Sequence, residues 1–158
     1  MVYKRTHKCG ELRSEHIENT VVLNGWVQKR RNLGGLIFVD LRDKTGIVQV
    51  VFDKDVSAEA FYIADKIRSE YVIGIEGVVK ERESKNKELA TGDIEVFVEK
   101  LTIYSEADTP PIYIKDDDDV SESLRLKYRY LDLRKPSMQK NLSFRHQITK
   151  IIREFFNN

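Results

Sequence analysis

The sequence predicts an all-β fold, a closed barrel of five strands with one helix between the third and fourth, followed by a linker and a C-terminal helix. Three observations predict it. Two neighbouring stretches, Leu36 to Asp43 and Ile47 to Phe52, alternate with a period of two. Segments rich in β-branched residues recur at Val21 to Gln28, Tyr71 to Lys80 and Ile94 to Tyr104. A single helical pattern, opening at Ser57, interrupts them after the third strand. The order strand, strand, strand, helix, strand, strand is that of an OB-fold.

Residues 1 to 19 are polar, with Leu12 and Ile17 as anchors, and read as a lead-in with at most one helical turn. The first strand, Val21 to Gln28, carries Trp26, whose parity differs from that of the following cations and which therefore reads as a barrel-wall residue. Lys29 to Gly35 reads as a basic loop. Gly34 and Gly35 there allow positive φ, and turn-making and close approach of a ligand both account for them. In the second strand Ile37, Val39 and Leu41 share a core face, while Leu36, Phe38, Asp40 and Arg42 point the other way. Lys44, Thr45 and Gly46 turn into the third strand, where Val48, Val50 and Phe52 oppose Ile47, Gln49 and Val51.

Ser57 is the expected N-cap of a helix to about Arg68, with Ala60, Phe61, Ile63, Ala64 and Ile67 on a face that closes the barrel. In the fourth strand Gly74 and Gly77 suggest bends or bulges. Glu81 to Asp93 reads as a charged hairpin tip. In the fifth strand the apolar phase slips from Val98 to Leu101, which predicts a bulge near Glu99 and Lys100.

Composition sets limits on function. The chain has 158 residues, 41% hydrophobic and 34% charged, with a net charge of +1. That is enough for one core, and any affinity for nucleic acid must come from local clustering of charge. No apolar run approaches the roughly 20 residues of a membrane span, and MVYKRTHKCGEL lacks the apolar stretch of a secretory signal. The single cysteine, Cys9, excludes an internal disulfide, fits a reducing compartment and reads as a packing residue. Cys9, His7, His16 and His146 have no metal-ligand spacing, and no phosphate loop, nucleophile elbow or dinucleotide fingerprint is present. No catalytic or metal-binding residue is assigned.

On the outer face Phe38 and Gln49 meet if the second and third strands pair, just past Lys29, Arg30 and Arg31. A ring that stacks, an amide that reads a base edge and cations that hold phosphate suit single-stranded nucleic acid. OB-folds bind oligonucleotides through strands two and three and the loops joining strands one to two and four to five. The two loops so named are the most charged segments of the barrel. Glu95, from the residues alone, is an ordinary solvent-facing strand glutamate.

Composition changes at Thr109-Pro110-Pro111, and KDDDD at 115 to 119 reads as a solvated linker, with a metal site as the weaker reading. From Leu124 onward nine cations oppose Asp132 and Glu154, a net +7. From Ser137 the pattern is helical, with Met138, Leu142, Ile148, Ile151, Ile152 and Phe155 in a broad apolar stripe that nothing in the chain covers. The expected division is a barrel at 1–107, a linker or hinge at 108–136 and, at 137–158, a truncated helix leading into a further domain.

GWVQKRRNLGGLIFVDLRDKTGIVQVVFD, then ATGDIEV, then LRLKYRYLDLRKPSMQKNLSFRHQITK closely resembles the N-terminal part of the bacterial aspartyl-tRNA synthetases, along nearly the whole chain. The barrel with GW and a basic loop is shared by the aspartyl, asparaginyl and lysyl enzymes; RLKYRYLDLR with the following RH-containing helix is more specific to the aspartyl type. The resemblance implies that the barrel binds the anticodon GUC of tRNA(Asp). It implies that Phe38 stacks on the central uridine, that Gln49 and Arg31 hydrogen-bond near it, and that Glu95 reads the first anticodon base. A carboxylate suits the N1–H and N2–H of guanine. Lys29 matches a family arginine, so its phosphate contact is a point charge without the bidentate fork. Lys80 and Arg82 are implied to lie along the RNA backbone. The loop from Arg82 to Ala90 is shorter than in some relatives, a departure that touches contacts from Asn86 to Glu88.

The class II signature motifs are absent from these residues. The resemblance implies ATP and Mg2+ for the full-length enzyme, a cytoplasmic homodimer, and no cofactor for this part, which is expected to do no chemistry. The helix from Ser137 resembles the run-in to the first class II motif, so the part is expected to be a monomer or to self-associate weakly through 137–158. Two alternatives belong to other classes: a free-standing OB module that binds single strands without sequence choice, and a protein-interaction barrel with Phe38 as the anchor.

Overall fold

The structure, a computed structural model, describes residues 4 to 157. The chain divides into two compact units, Met1–Thr109 and Pro110–Asn158. In the first, five strands close into a barrel: β1 (Thr20–Asn32), β2 (Leu36–Asp43), β3 (Gly46–Asp53), β4 (Val72–Glu81) and β5 (Ile94–Ser105), in the order β1-β2-β3-β5-β4. β1 pairs with β4 to close it, and β3 with β5 is the parallel pair. This is the OB-fold that the element order predicts.

Alternation explains the core. Val21, Leu23, Val27, Ile37, Val39, Leu41, Val48, Val50 and Phe52 are fully buried inside the barrel, with Ile73, Ile75 and Val79 from β4 and Val96 from β5. The bulge predicted in β5 is present. Gly77 pairs with Val98 while Glu76 pairs with Lys100, which leaves Glu99 as the extra residue. Gly77 lies against the Phe97 carbonyl too closely for any Cβ.

A second bulge was not foreseen. The β1–β2 register slips between Val27 and Lys29, so Gln28 is the extra residue. One inserted residue inverts the faces of all that follow. Trp26, opposite Arg42, thus shares the outer side with Lys29 and Arg31, opposite Asp40 and Phe38; the parity argument that separated Trp26 from these cations fails here. β1 also continues to Asn32, so Lys29, Arg30 and Arg31 are strand residues and the loop shrinks to Leu33, Gly34 and Gly35.

Helix α1 (Ala58–Ala64) is capped by Ser57, whose hydroxyl accepts the Ala60 N–H at 3.3 Å. It buries Ala60 and Ala64 against the barrel end. It stops short of the expected Arg68. Arg30, turned inward by the Gln28 bulge, donates its Nε–H to the Ala64 carbonyl at 3.0 Å and pairs with Asp65. Asn32 also donates to Asp65, at 3.1 Å. The Arg30 bond occupies the Ala64 carbonyl, a backbone acceptor that a further turn would use.

The lead-in forms two single 3-10 turns, Cys9–Glu11 and Ser14–His16, where at most one was expected. Leu12 is fully buried and Ile17 packs on the core. The Cys9 N–H donates to the Asp43 carboxylate and the Gly10 N–H to Thr45 Oγ1, both at 2.9 Å, so the lead-in is stitched to the β2–β3 turn. Burial, and then the Asp43 charge, push the Cys9 thiol far above its ordinary range, which makes it a packing residue and not a nucleophile. Burial would also raise Asp43, but hydrogen bonds from Thr45, Cys9 and Gly46 hold its carboxyl below the usual range.

The second unit contains α2 (Glu122–Lys127), α3 (Arg129–Asp132) and α4 (Pro136–Asn157). The stretch expected to be a linker or hinge, 108–136, is therefore partly helical, and it is organised by ion pairs. Fully buried Asp132 accepts from Arg125 Nε and Arg129, each at 2.8 Å, and Lys135 lies 3.5 Å away. Lys135 also pairs with Asp118 at 2.6 Å. The Arg125 hydrogen bond, aided by Lys135, holds the Asp132 carboxyl low. Nor is KDDDD simply solvated: the Asp116 carboxylate accepts the Ser137 N–H at 3.1 Å and its hydroxyl at 2.5 Å, capping the start of α4. Pro136 suits the first turn of that helix, where its missing N–H costs nothing. Among the described residues α4 buries none, and Leu142, Ile148, Ile151, Ile152 and Phe155 are exposed.

Candidate nucleic-acid interface

β2, β3 and β5 present their outer faces side by side. Register brings Phe38 opposite Val51, Asp40 opposite Gln49, and Val51 beside Phe97. The β4–β5 ladder adds Lys80 opposite Glu95. Phe38, Gln49, Val51, Lys80, Glu95 and Phe97, together with Arg31, Leu33, Leu36 and the segment from Glu81 to Ser84, line a cavity of about 510 Å3. Of the seven residues singled out from the sequence, Arg31, Phe38, Gln49, Lys80, Arg82 and Glu95 line it. Lys29 does not. It is exposed on the same outer face, opposite Asp40 and two residues from Arg31.

The floor is a connected polar network. Gln49 Oε1 accepts from Arg82 at 2.8 Å and from Arg31 at 3.1 Å. Gln49 Nε2 donates to Glu95 Oε2 at 2.7 Å. Arg31 also pairs with Asp40 at 2.9 Å. Two residues expected to face water do not: Gln49 is 4% and Glu95 7% exposed. Outward parity puts a side chain outside the barrel, but here the Arg31 and Arg82 guanidinium groups close over them. Val51, also on the outer face, is fully buried and stands outside the barrel core.

Burial holds the Glu95 carboxyl above its ordinary value; the Gln49 hydrogen bond and the Arg82 charge only partly offset it. A carboxylate kept dry among cations is poised to accept N–H donors in the plane of a ring. The Arg31 Nε–H is buried without a hydrogen-bond partner, an unsatisfied donor on a residue that lines the cavity. The cavity thus combines a half-buried aromatic ring, convergent cations and one desolvated acceptor, the set that recognises an unstacked base with its phosphate.

The sequence reading missed two residues. Asp40 pairs with Arg31 and holds it in place, and Phe97 adds a second ring, with Lys80 Nζ 4.3 Å from its centroid. Arg82, expected along the RNA backbone, also donates to Gln49. Phe97 had a signal: it shares the parity of Glu95 in the alternation Ile94, Val96, Val98. Among the described residues no group of three or more His, Cys, Asp or Glu could hold a metal ion. None of the described helices is long and apolar enough to cross a membrane.

Comparison with known proteins agrees with this geometry. Residues 21–104 match the family model described as OB-fold nucleic acid binding domain, and residues 121–158 the model described as tRNA synthetases class II (D, K and N). The aspartate–tRNA(Asp/Asn) ligase of Thermoanaerobacter sp. is 57% identical over 98% of this chain, and the aspartate–tRNA ligase of Geobacillus kaustophilus 55% identical over 98%. The chain spans 26% of the length of the first and 27% of the second. Among solved structures, asparaginyl-tRNA synthetase from Pyrococcus horikoshii superposes with a TM-score of 0.79 at 32% identity, over 94% of this chain and 34% of that one. The chain belongs to the OB-fold nucleic acid binding domain family and, within it, stands with the bacterial aspartyl-tRNA synthetases.

Proposed function

We propose that the barrel binds tRNA(Asp) through the anticodon loop GUC, as part of a longer class II enzyme that attaches L-aspartate to tRNA using ATP and Mg2+. One observation carries the reading: Phe38, Arg31, Gln49, Arg82 and Glu95 converge on one cavity, with Glu95 desolvated beneath Gln49. Phe38 stacks on the central uridine. Arg31 and Gln49 hydrogen-bond near it, and Glu95 accepts the Watson–Crick N–H groups of guanine. Lys29, Lys80 and Arg82 hold phosphates. The 158 residues themselves do no chemistry and need neither metal nor nucleotide. The domain beyond the linker at 108–136 covers the stripe of the 137–158 helix in a cytoplasmic homodimer.

The test is binding of this chain to a GUC stem-loop and to one with the central uridine replaced, across a salt series. Preference for GUC, lost in Phe38→Ala, is expected. Equal affinity with equal salt slopes would reduce the site to a non-specific basic surface.

A further inference from the structure

We infer that Phe97 is a second base-stacking platform, covered by Lys80 until a single strand enters, for a nucleotide next to the one that stacks on Phe38. The inference rests on the anticodon-binding reading and extends it. Phe97 lies on the outer face of β5, lines the same cavity and is half-buried like Phe38. Val51 is the register neighbour of both rings, and although it points outward it is fully buried. The two rings therefore flank one apolar spot, about 10 Å apart across two strand spacings. That arrangement can serve successive bases of one strand, because every base has a face that stacks.

Lys80 explains how the platform stays available. Its ammonium sits over the Phe97 ring at 4.3 Å, and the residue is otherwise exposed. A cation–π contact shields the ring from water but is weak at an exposed site. A phosphate is the stronger partner for an ammonium. When the backbone of a bound strand passes β4, Lys80 moves from the ring to the phosphate and a base takes its place on Phe97.

The test is a double-mutant cycle between protein rings and RNA bases. Stem-loops made abasic at each loop position in turn are titrated against the wild-type chain, Phe97→Leu and Phe38→Ala, with urea unfolding to verify that both variants fold. Phe97→Leu, which keeps apolar cover over Val51, is expected to weaken the intact stem-loop by about 5- to 100-fold. That loss should vanish when the base at one position adjacent to the central one is absent, while the Phe38→Ala loss vanishes at the central position. Lys80→Met should flatten the salt dependence and leave the Phe97 coupling intact. If Phe97→Leu couples to no position while Phe38→Ala still couples to the central base, the second platform is wrong and the anticodon reading stands. If Lys80→Met abolishes the Phe97 coupling, the ring merely positions Lys80 and the inference is overturned. If neither ring couples to any base, both readings fail.

Discussion

Replacing Glu95 by glutamine should stabilise the fold at neutral pH while removing base selectivity. Burial raises the Glu95 carboxyl above its ordinary 4.5. A group raised in the fold keeps its proton there at a pH where the unfolded chain has lost it. Its contribution to stability is therefore fully present below the unfolded value of 4.5 and is lost as pH rises through the folded value. Between the two values the loss has a ceiling of about 1.4 kcal/mol per pH unit, one proton's difference between the states. A glutamine keeps a carbonyl for the Gln49 N–H, which is 2.7 Å from Glu95 in the wild type, and does not titrate.

The assay is urea unfolding of wild type and Glu95→Gln, followed by the fluorescence of the single tryptophan, Trp26, across about pH 4 to 8. The difference between the two proteins isolates the effect of the Glu95 carboxyl and its immediate charge neighbours. The variant's advantage should be flat at the acid end, grow above pH 4.5 and keep growing as pH rises through the raised folded value. An advantage that grows toward acid, or a variant less stable at every pH, would refute the claim that desolvation dominates at Glu95. The same variant should lose its preference for guanine at the first anticodon position, so that stability and selectivity move in opposite directions, as expected of a group kept for function.

Phe38→Ala should weaken binding of a GUC stem-loop by about 1–3 kcal/mol, with little change in the urea midpoint; a shifted midpoint with unchanged relative affinity would assign the ring to the fold. Cys9 should react with thiol reagents only as fast as the barrel opens, because the thiol is fully buried and its pKa is raised; fast labelling of the native protein would show that the lead-in detaches. Gly77→Ala should cost about 1–3 kcal/mol, as overpacking does, because its Cβ would meet the Phe97 carbonyl at the Glu99 bulge. The check is urea denaturation, and a neutral effect would mean that the bulge can shift. The acid limb of stability should come from Asp43 and Asp132, both held low in the fold, whose contributions are present above their ordinary 3.8 and are lost as pH falls through the folded values. Asp43→Asn and Asp132→Asn should flatten that limb in the pH dependence of the melting temperature.

Much of the barrel follows from the order of residues alone, because alternation with a period of two is a local property. The core faces of β2 and β3, the Ser57 cap and the slip at Glu99 are each visible within a few positions of one strand or turn. So is the outward direction of Phe38, Gln49 and Glu95. What a single strand cannot reveal is how many neighbours an outward side chain meets. Gln49, Val51 and Glu95 share the parity of solvent-facing residues, yet β2 and β5 flank β3 on both sides and Arg31 and Arg82 close over the polar pair. The Gln28 bulge is equally silent in sequence, since no apolar phase shift marks it, and it alone turns Arg30 inward to α1 and aligns Trp26 with Lys29 and Arg31. Composition and spacing thus determined a five-stranded barrel with cations beside an aromatic strand. Only the tertiary structure decided which polar groups are dry, because desolvation depends on contacts of β1, β3 and β5 with one another and with Arg82 just past β4, which lie dozens of residues apart in the chain.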